Sequence, residues 1–481
     1  MELIKKAILS AYNKLKLKHY EDVEEICDQI IKVDPNNLES LYLSAVSKYK
    51  LNRDCFEIIN QIKKINSYES NNYLGLFYLQ IENIQKSIKY FTNAIEINPK
   101  LSNAWSNLGC QFRAINKTNL AIECFKKAKK IDCNKENILI NLAGAYADNL
   151  EIDKSIKILS KVIKINPKNH CAHVDLSYAY FLLNKYRKAY PHYQHRFDHF
   201  ESLSNKINKN KRWKGEKIKD GKKILFFTEQ GIGDSINFIR FVKQFIEKYP
   251  KVQVQTLIPK ELSCLFNISN TTNEIEDHDY NCSVIDIPYY LGFDEKQIKN
   301  KYKPYVSINK KCDYSKFKDN YKIGICWAGN PQHTRDSDRS CHLSLFEEIY
   351  KIPNIKLFSL QKDLRKRKWP FNKKEIDLAY SKNIKMIDMS KYMTTWEETA
   401  SIINGLDLVI SVDTSILHLS GAMGKKTYGM ISYFPDWRWG LRGEKNIWYP
   451  SLTLFRQKEK GNWKSVIEEI KIKINKDINN I

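Results

Sequence analysis

No run of about 18 uncharged apolar residues interrupts this 481-residue chain, so no segment is predicted to span a membrane. The opening, MELIKKAILSAYNKLKLKHY, lacks the unbroken apolar stretch of a secretion signal, and its spaced lysines read as an amphipathic helix. Eleven cysteines are present but no C-x-x-C pair. Without a signal, that argues against a disulfide framework and for reduced, mostly buried thiols in a soluble, cytoplasmic protein. Nor does any RNA- or DNA-binding motif accompany the net charge of +24. Lysine is spread throughout, beside abundant Asn and Ile, as a general residue bias. The charge therefore points away from nucleic acid and toward anionic ligands or peripheral contact with an anionic membrane surface.

What is present is globular: 42% hydrophobic and 12% aromatic residues in 481, enough for two or three domains. The first two hundred residues repeat. Pro99, Cys133 and Pro167 are 34 apart, as are Ile97, Ile131 and Ile165. Ser87, Ala121, Ser155 and Ala189 keep that step, followed four residues later by Phe91, Phe125, Leu159 and Tyr193; Phe112, Tyr146 and Tyr180 make a third series. Trp105-x-x-Leu108-Gly109, Phe112 and Ala121-x-x-x-Phe125 resemble the tetratricopeptide consensus. With Asp34-Pro35 closing a first unit and Ile65-Asn66 a shorter second, about five helix pairs are expected over residues 1–200, forming a solenoid whose concave face suits a protein partner. His192, His195 and His199 share one helix face in the last unit, near Asp198. Three imidazoles suit zinc, but the neighbouring Tyr190, Tyr193 and Phe197 favour ordinary packing, and no metal site is expected.

A lysine-dense stretch over 201–222 reads as a basic linker. Beyond it the periodicity changes. KILFFT (Lys223–Thr228) is a buried-strand run, Gly231-Ile-Gly-Asp234 a tight turn, and Ile236–Phe245 a helix; Val252–Ile258 is a second strand. The pattern restarts at YKIGICWA (Tyr321–Ala328), continues through the strand Ile355–Leu360, and reaches the run Leu408–Val412, which ends at Asp413-Thr414-Ser415 before an apolar helical pattern. Strands alternating with helices imply parallel βαβ units, here over 223–312 and 320–481. The fold class is a helical solenoid followed by two Rossmann-like α/β domains. Ligands in such sheets bind beyond the carboxyl ends of the strands, and a capped helix start there favours an anion. Two phosphate-binding signatures are absent: Ile236 stands at the third glycine of a dinucleotide fingerprint, and Gly421–Lys426 lacks the P-loop spacer.

Six ordered segments carry a resemblance: Trp213-x-Gly215-Glu216, Glu229-Gln230-Gly231-Ile232-Gly233-Asp234, Trp327-Ala328-Gly329-Asn330-Pro331, Ser359-Leu360-Gln361-Lys362, Ser411-Val412-Asp413-Thr414 with His418, and Pro435-Asp436-Trp437-Arg438-Trp439. Together these resemble the tetratricopeptide-containing bacterial glycosyltransferases related to the lipopolysaccharide heptosyltransferase family, over about residues 210–470. The resemblance implies a GT-B pair of domains, a nucleotide-sugar donor on the C-terminal half, and a protein or glycan acceptor toward the N-terminal half. It further implies inverting, hexosyl- or heptosyltransferase-like transfer without metal or cofactor. It places the catalytic base at Asp234; a helix cap is the residue's alternative role.

Compensation for a departing diphosphate would then fall to Thr414 and Ser415 at the helix start and to the cations Arg335, Arg339 and Lys362, with Gln361 beside the last. Asp413 would hold a donor hydroxyl or orient the site, and His418 either faces the same ligand or packs internally. Gln230, Gly231 and Gly233 form the acceptor-side loop, glycine letting a substrate approach the backbone. Trp437 and Trp439 stack on the ligand or fill the core. The alternative to an enzyme is a non-catalytic repeat scaffold with a degenerate α/β half.

Overall fold

The computed structural model describes residues 2–199, 208–266, 271–272, 277–308, 312–333, 335–362 and 384–479. The chain divides into two compact units, Met1–Leu176 and Ser177–Ile481.

The first unit is helical. Counting through residue 193, the described residues form six helix pairs: Glu2–Lys16 with Tyr20–Val33, Leu38–Lys50 with Phe56–Ile65, Tyr68–Gln80 with Ile84–Ile97, Ser102–Ala114 with Thr118–Ile131, Glu136–Asp148 with Ile152–Ile165, and His170–Leu182 with Tyr186–Tyr193. That is one more than about five, because the shorter unit puts the early columns out of phase. The period is clearer in the backbone. Lys18, Asn52, Glu82, Asn116, Leu150 and Asn184 all take positive φ in the turns inside the pairs, 34 residues apart except for the 30 between Asn52 and Glu82. Each turn ends its first helix by a 6→1 bond: the N–H groups of Asn83, Lys117 and Glu151 donate to Tyr78, Phe112 and Tyr146 carbonyls at 2.9, 2.8 and 2.9 Å. A Cβ in this conformation costs roughly 1–2 kcal/mol. Exposed Glu82 should therefore gain about 0.5–1 kcal/mol as Glu82→Gly, while Glu82→Ala gains nothing; urea unfolding of both variants checks this.

The columns are packing contacts. A Cβ on Gly75 would lie 2.6 Å from the Phe91 ring, and one on Gly109 2.7 Å from Phe125. Glycine here lets the two helices of a pair close over a fully buried aromatic ring, and Ser87 Oγ donates to Gly75 O at 2.9 Å across the same contact.

The second unit begins within the helix His170–Leu182, well before the expected boundary at 200, and aromatic packing is the reason. Phe181 stacks on Trp437 at 4.4 Å, Tyr186 meets Trp448 edge-on at 5.3 Å, and Tyr190 stacks on Tyr289 at 5.1 Å. The last helix pair thus contributes to the α/β core. Residues 208–222 are not a linker either. Trp213 is buried edge-on against Phe245 at 5.2 Å, its backbone N–H donates to Asn281 O at 2.9 Å and its indole N–H to Glu216 O at 2.8 Å, and Ile218 is buried; two apolar anchors dock the lysine-rich strip. Residues 201–207 lie outside the described residues.

Two all-parallel sheets follow. In the first, β1 (Lys223–Phe227), β2 (Gln253–Leu257), β3 (Thr271–Thr272) and β4 (Tyr280–Ser283) lie in the order β3-β2-β1-β4. In the second, β5 (Tyr321–Cys326), β6 (Ile355–Ser359), β7 (Ile387–Asp388), β8 (Leu408–Val412), β9 (Thr427–Ile431) and β10 (Leu452–Arg456) lie in the order β10-β9-β8-β5-β6-β7. The central strands β5 and β8 are apolar because both faces are covered. One cover is the helix Trp463–Ile478, burying Val466, Ile467, Ile470 and Ile474 at helical spacing against Ile323, Ile325 and Ile410.

The sheets meet through the helices after β1 and β8. Tyr305, between the sheets, donates from its hydroxyl to Ile236 O and from its N–H to Ala422 O, both at 2.9 Å. Arg240 Nη1 donates to Trp448 O at 2.9 Å. At this junction the segment after β1 meets those after β8 and β9, Gly233 lying against His418 and Asp234 against Arg438.

Candidate functional site

Three carboxylates gather around one arginine at that junction. Asp234 lies in the first turn of the helix Ile232–Phe238 after β1, where Gly231 takes the N-cap position, so Asp234 is not the cap. Its carboxylate instead forms an ion pair with Arg438, whose side chain is 6% exposed against 16% for Asp234. Arg438 Nη1 also donates to Asp436 Oδ1 at 2.7 Å and Nη2 to Gln230 Oε1 at 2.7 Å. Gln230 in turn donates from Nε2 to the Tyr193 hydroxyl at 2.7 Å. Asp413, half-buried at the end of β8, completes the group.

The electrostatics follow from burial set against cations. Burial pushes Asp234 up to about 6 despite Arg438, with Asp436 and Asp413 adding to the rise. Burial and then Asp436 likewise lift Asp413 to about 6, opposed by Arg339. For Asp436 burial also acts upward, but Arg438 outweighs it and the carboxyl sits below its ordinary range. The cluster thus offers two carboxylates able to exchange protons near neutrality and one that stays ionised.

The remaining predicted residues divide. Arg339 stands beside Asp413, partly paired with Asp336 at 3.5 Å and 17% exposed. Thr414 is the N-cap residue of Ser415–Ala422 but makes no side-chain cap; its hydroxyl pairs with Ser411 Oγ at 3.0 Å, and Ser415 opens the helix. Gly231 has open space where a Cβ would stand, as a loop approached by substrate requires. Lys362 is exposed just past β6.

Four expectations change. Gly233 does not admit substrate: a Cβ there would lie 2.5 Å from His418 Cδ2, so the glycine lets the two helices cross. His418 packs internally, its Nδ1 3.0 Å from Tyr449 Oη and its ring 5.0 Å from Trp439; burial, then Arg438, lowers it to about 3, so it stays neutral. Arg335 pairs with Asp338 at 3.1 Å and lies 4.2 Å over Phe434.

Gln361 is the fourth. It is 4% exposed and clasps Ala328, accepting from its N–H at 2.9 Å and donating to its carbonyl at 3.0 Å. The amide locks the ends of β5 and β6 together. Gln361→Leu leaves both backbone groups buried and unpaired and should cost about 2–4 kcal/mol, measurable as a lowered urea midpoint.

The expectation of no Asp-x-Asp spacing is corrected: Asp336-x-Asp338 stands in the sequence, a spacing able to bind a divalent ion. In the fold, Asp336 accepts from Ser340 Oγ at 3.0 Å and faces Arg339, while Asp338 pairs with Arg335 and, at 3.6 Å, Lys460. Among the described residues no group of three His, Cys, Asp or Glu is placed to hold a metal, and His192 stacks on Tyr180 at 6.0 Å. Trp437 is core, against Phe181, Phe238 and Trp448.

Arg438 and Asp436 were visible only as letters of a motif; their alternation in Asp-x-Arg was the available signal. Behind the site lies a second, deeper network. Arg196, 1% exposed, donates Nε to Glu229 Oε2 at 2.9 Å and Nη2 to Glu229 Oε1 at 2.6 Å and Asp286 Oδ2 at 2.8 Å. No sequence spacing links these three residues.

Among known proteins, a tetratricopeptide repeat model matches residues 68–101 and 102–134. Protein FlbA of Caulobacter vibrioides is 20% identical over 435 residues, covering 84% of this chain and 72% of that protein. Superkiller protein 3 of Schizosaccharomyces pombe is 29% identical over 139 residues, 29% of this chain and 10% of that one. The solved structure of a thermophilic TPR protein from Thermus thermophilus covers 37% of this chain and 98% of its own at 16% identity, with a TM-score of 0.31. The chain thus contains tetratricopeptide repeats, followed by parallel-sheet α/β structure.

Proposed function

We propose that this chain is a glycosyltransferase that moves a sugar from a nucleotide-sugar donor to a protein or glycan acceptor, by inverting transfer that needs no metal, on a GT-B pair of α/β domains. The observation that carries the reading is Asp234: a carboxyl near pH 6, at the carboxyl end of β1, facing the loops that follow β8 and β9.

In this reading Asp234 takes the proton of the acceptor hydroxyl as that oxygen bonds to the anomeric carbon. The bond from that carbon to the diphosphate oxygen breaks, and the diphosphate leaves with the electron pair. Arg339, Lys362 and the first turn at Thr414 and Ser415 meet the departing charge, worth most where water is excluded. Asp413 accepts from a donor hydroxyl. The acceptor docks on the repeats, or through them by way of a protein partner. FlbA covers 84% of this chain, which extends the match past the repeats into the α/β half and supports a shared two-part architecture.

The second reading is a repeat scaffold without catalysis. It is favoured by the Arg438 ion pair, which already neutralises Asp234. Thermal stability of the full chain with a panel of nucleoside diphosphate sugars, followed by transfer to acceptor peptides and glycans, separates the two. A saturating rise in Tm with one donor supports the enzyme; no stabilisation by any donor supports the scaffold.

A further inference from the structure

Tyr193 belongs, by sequence, to a column of repeat core residues: Phe91, Phe125, Leu159, Tyr193, each 34 from the last. In the first two of those positions the ring fills the space over a glycine, Gly75 or Gly109. The Tyr193 ring is equally buried, edge-on to Phe181 at 5.3 Å, and packing alone would be served by Phe or Leu as in the earlier repeats. Its hydroxyl does something further. It accepts from Gln230 Nε2 at 2.7 Å, and because an amide that donates from one end must present its oxygen at the other, Gln230 Oε1 faces Arg438 Nη2 at 2.7 Å. Arg438 is the group paired with Asp234. Tyr193 is itself pinned: Arg196 Nη1 donates to its carbonyl at 3.1 Å and the guanidinium lies 4.0 Å over its ring.

We propose that Tyr193 is a positioning residue of the Asp234 site, acting through Gln230 and Arg438, so that the last helix pair of the repeats is a structural part of that site. The hydroxyl selects one of the two amide orientations of Gln230. That orientation gives Arg438 a neutral acceptor on the Asp234 side and holds the guanidinium there, instead of letting it relax onto Asp436, its other carboxylate partner. Without the hydroxyl the amide can flip, presenting N–H groups to a guanidinium, and Arg438 moves off Asp234. This role is defined by the ion pair, and it rests on the proposed transfer reaction only where a rate is the readout.

The test compares wild type, Tyr193→Phe and Gln230→Leu in the full chain. The Asp234 carboxyl is titrated by carbon NMR of aspartate-labelled protein, its resonance identified by its loss in Asp234→Asn. Tyr193→Phe keeps the ring and should fold. The expected result is a several-fold gain in the proton affinity of Asp234, the midpoint moving above about 6, because the carboxylate loses its cation. Gln230→Leu should give the same shift, and the double variant no more than either single one, since all act through one path. A midpoint that is unmoved or lowered, or additive shifts in the double variant, overturns the proposal. If the midpoint shifts but no donor supports transfer, the positioning role stands and the glycosyltransferase reading falls. If transfer occurs and its acid limb is the same in Tyr193→Phe as in wild type, the reverse holds.

Discussion

Arg196→Met in the full chain should lower the stability of the α/β unit by about 3–5 kcal/mol near pH 8, more than the loss of the Gln361 clasp. The arginine is 1% exposed and faces two carboxylates exposed by 0% and 3%, Glu229 and Asp286. Its removal leaves two buried acids without their paired cation, with Arg212 still acting on Asp286, and Met fills the volume without replacing the charge. Burial already raises Asp286 even with Arg196 opposing it, and loss of the cation raises it further. An acid whose folded pKa lies above its unfolded value takes up protons on folding, so it adds stability at low pH that is lost as pH rises through the folded value. The damage should therefore be larger at pH 8 than at pH 5. Urea unfolding at the two pH values checks this, and because the chain has two compact units, two transitions are expected, with the repeat transition unchanged. Equal damage at both pH values would mean that lost packing, and not stranded charge, is the cause.

For the proposed transfer reaction, Asp234→Asn should reduce the rate by about 10²–10⁴-fold while leaving the fold intact. Asparagine keeps the shape and an oxygen for Arg438, and Asp436 remains as that arginine's partner at 2.7 Å. The wild-type rate should rise with pH through about 6, where Asp234 gives up its proton, and that limb should vanish from the residual activity of the variant. Stability runs the opposite way. Asp234 and Asp413 both sit near 6 when folded against about 4 for a free aspartate. The extra stability their protonation gives is complete below about pH 4 and lost by the time pH has passed 6. The proposed activity would thus gain where the site loses stability, as for a carboxylate kept partly desolvated for chemistry. A pH-rate profile beside a pH-stability profile tests both halves, and transfer that is unchanged in Asp234→Asn removes the catalytic role.

The two parts of this chain differ in how much of them could be read from residue order. In the helix pairs before the last, the packing contacts lie between neighbours in the chain. Gly109 closes over Phe125, sixteen residues on, and the turn at Asn116 lies between them, so a fixed period writes packing directly into spacing. Of the ten described strands, β1, β2, β5, β6 and β8 were equally legible, since β8, buried along its whole length, is apolar but for Ser411, and the ends of β1 and β8 announced Asp234 and Asp413; β3, β4, β7, β9 and β10 were not read from the sequence. The turn residues Lys18, Glu82 and Leu150 carried no warning of their positive φ, because none is Gly or Asn and only the hydrogen bonds around them impose the conformation.

Sequence alone therefore determined the repeats, the alternation of strand and helix, and which loops lie at strand ends, all consequences of neighbours in the chain and of the periods 3.6, 2 and 34. Only the tertiary structure decided that Arg438 sits on Asp234, that Gln361 is a clasp and His418 a neutral spacer, and that the last repeat helix ends inside the site. Those facts depend on residues far apart in the chain arriving at one place with charge to share and little water. Tyr193 makes the distinction concrete: its column position accounts for the ring, and only the fold accounts for the hydroxyl.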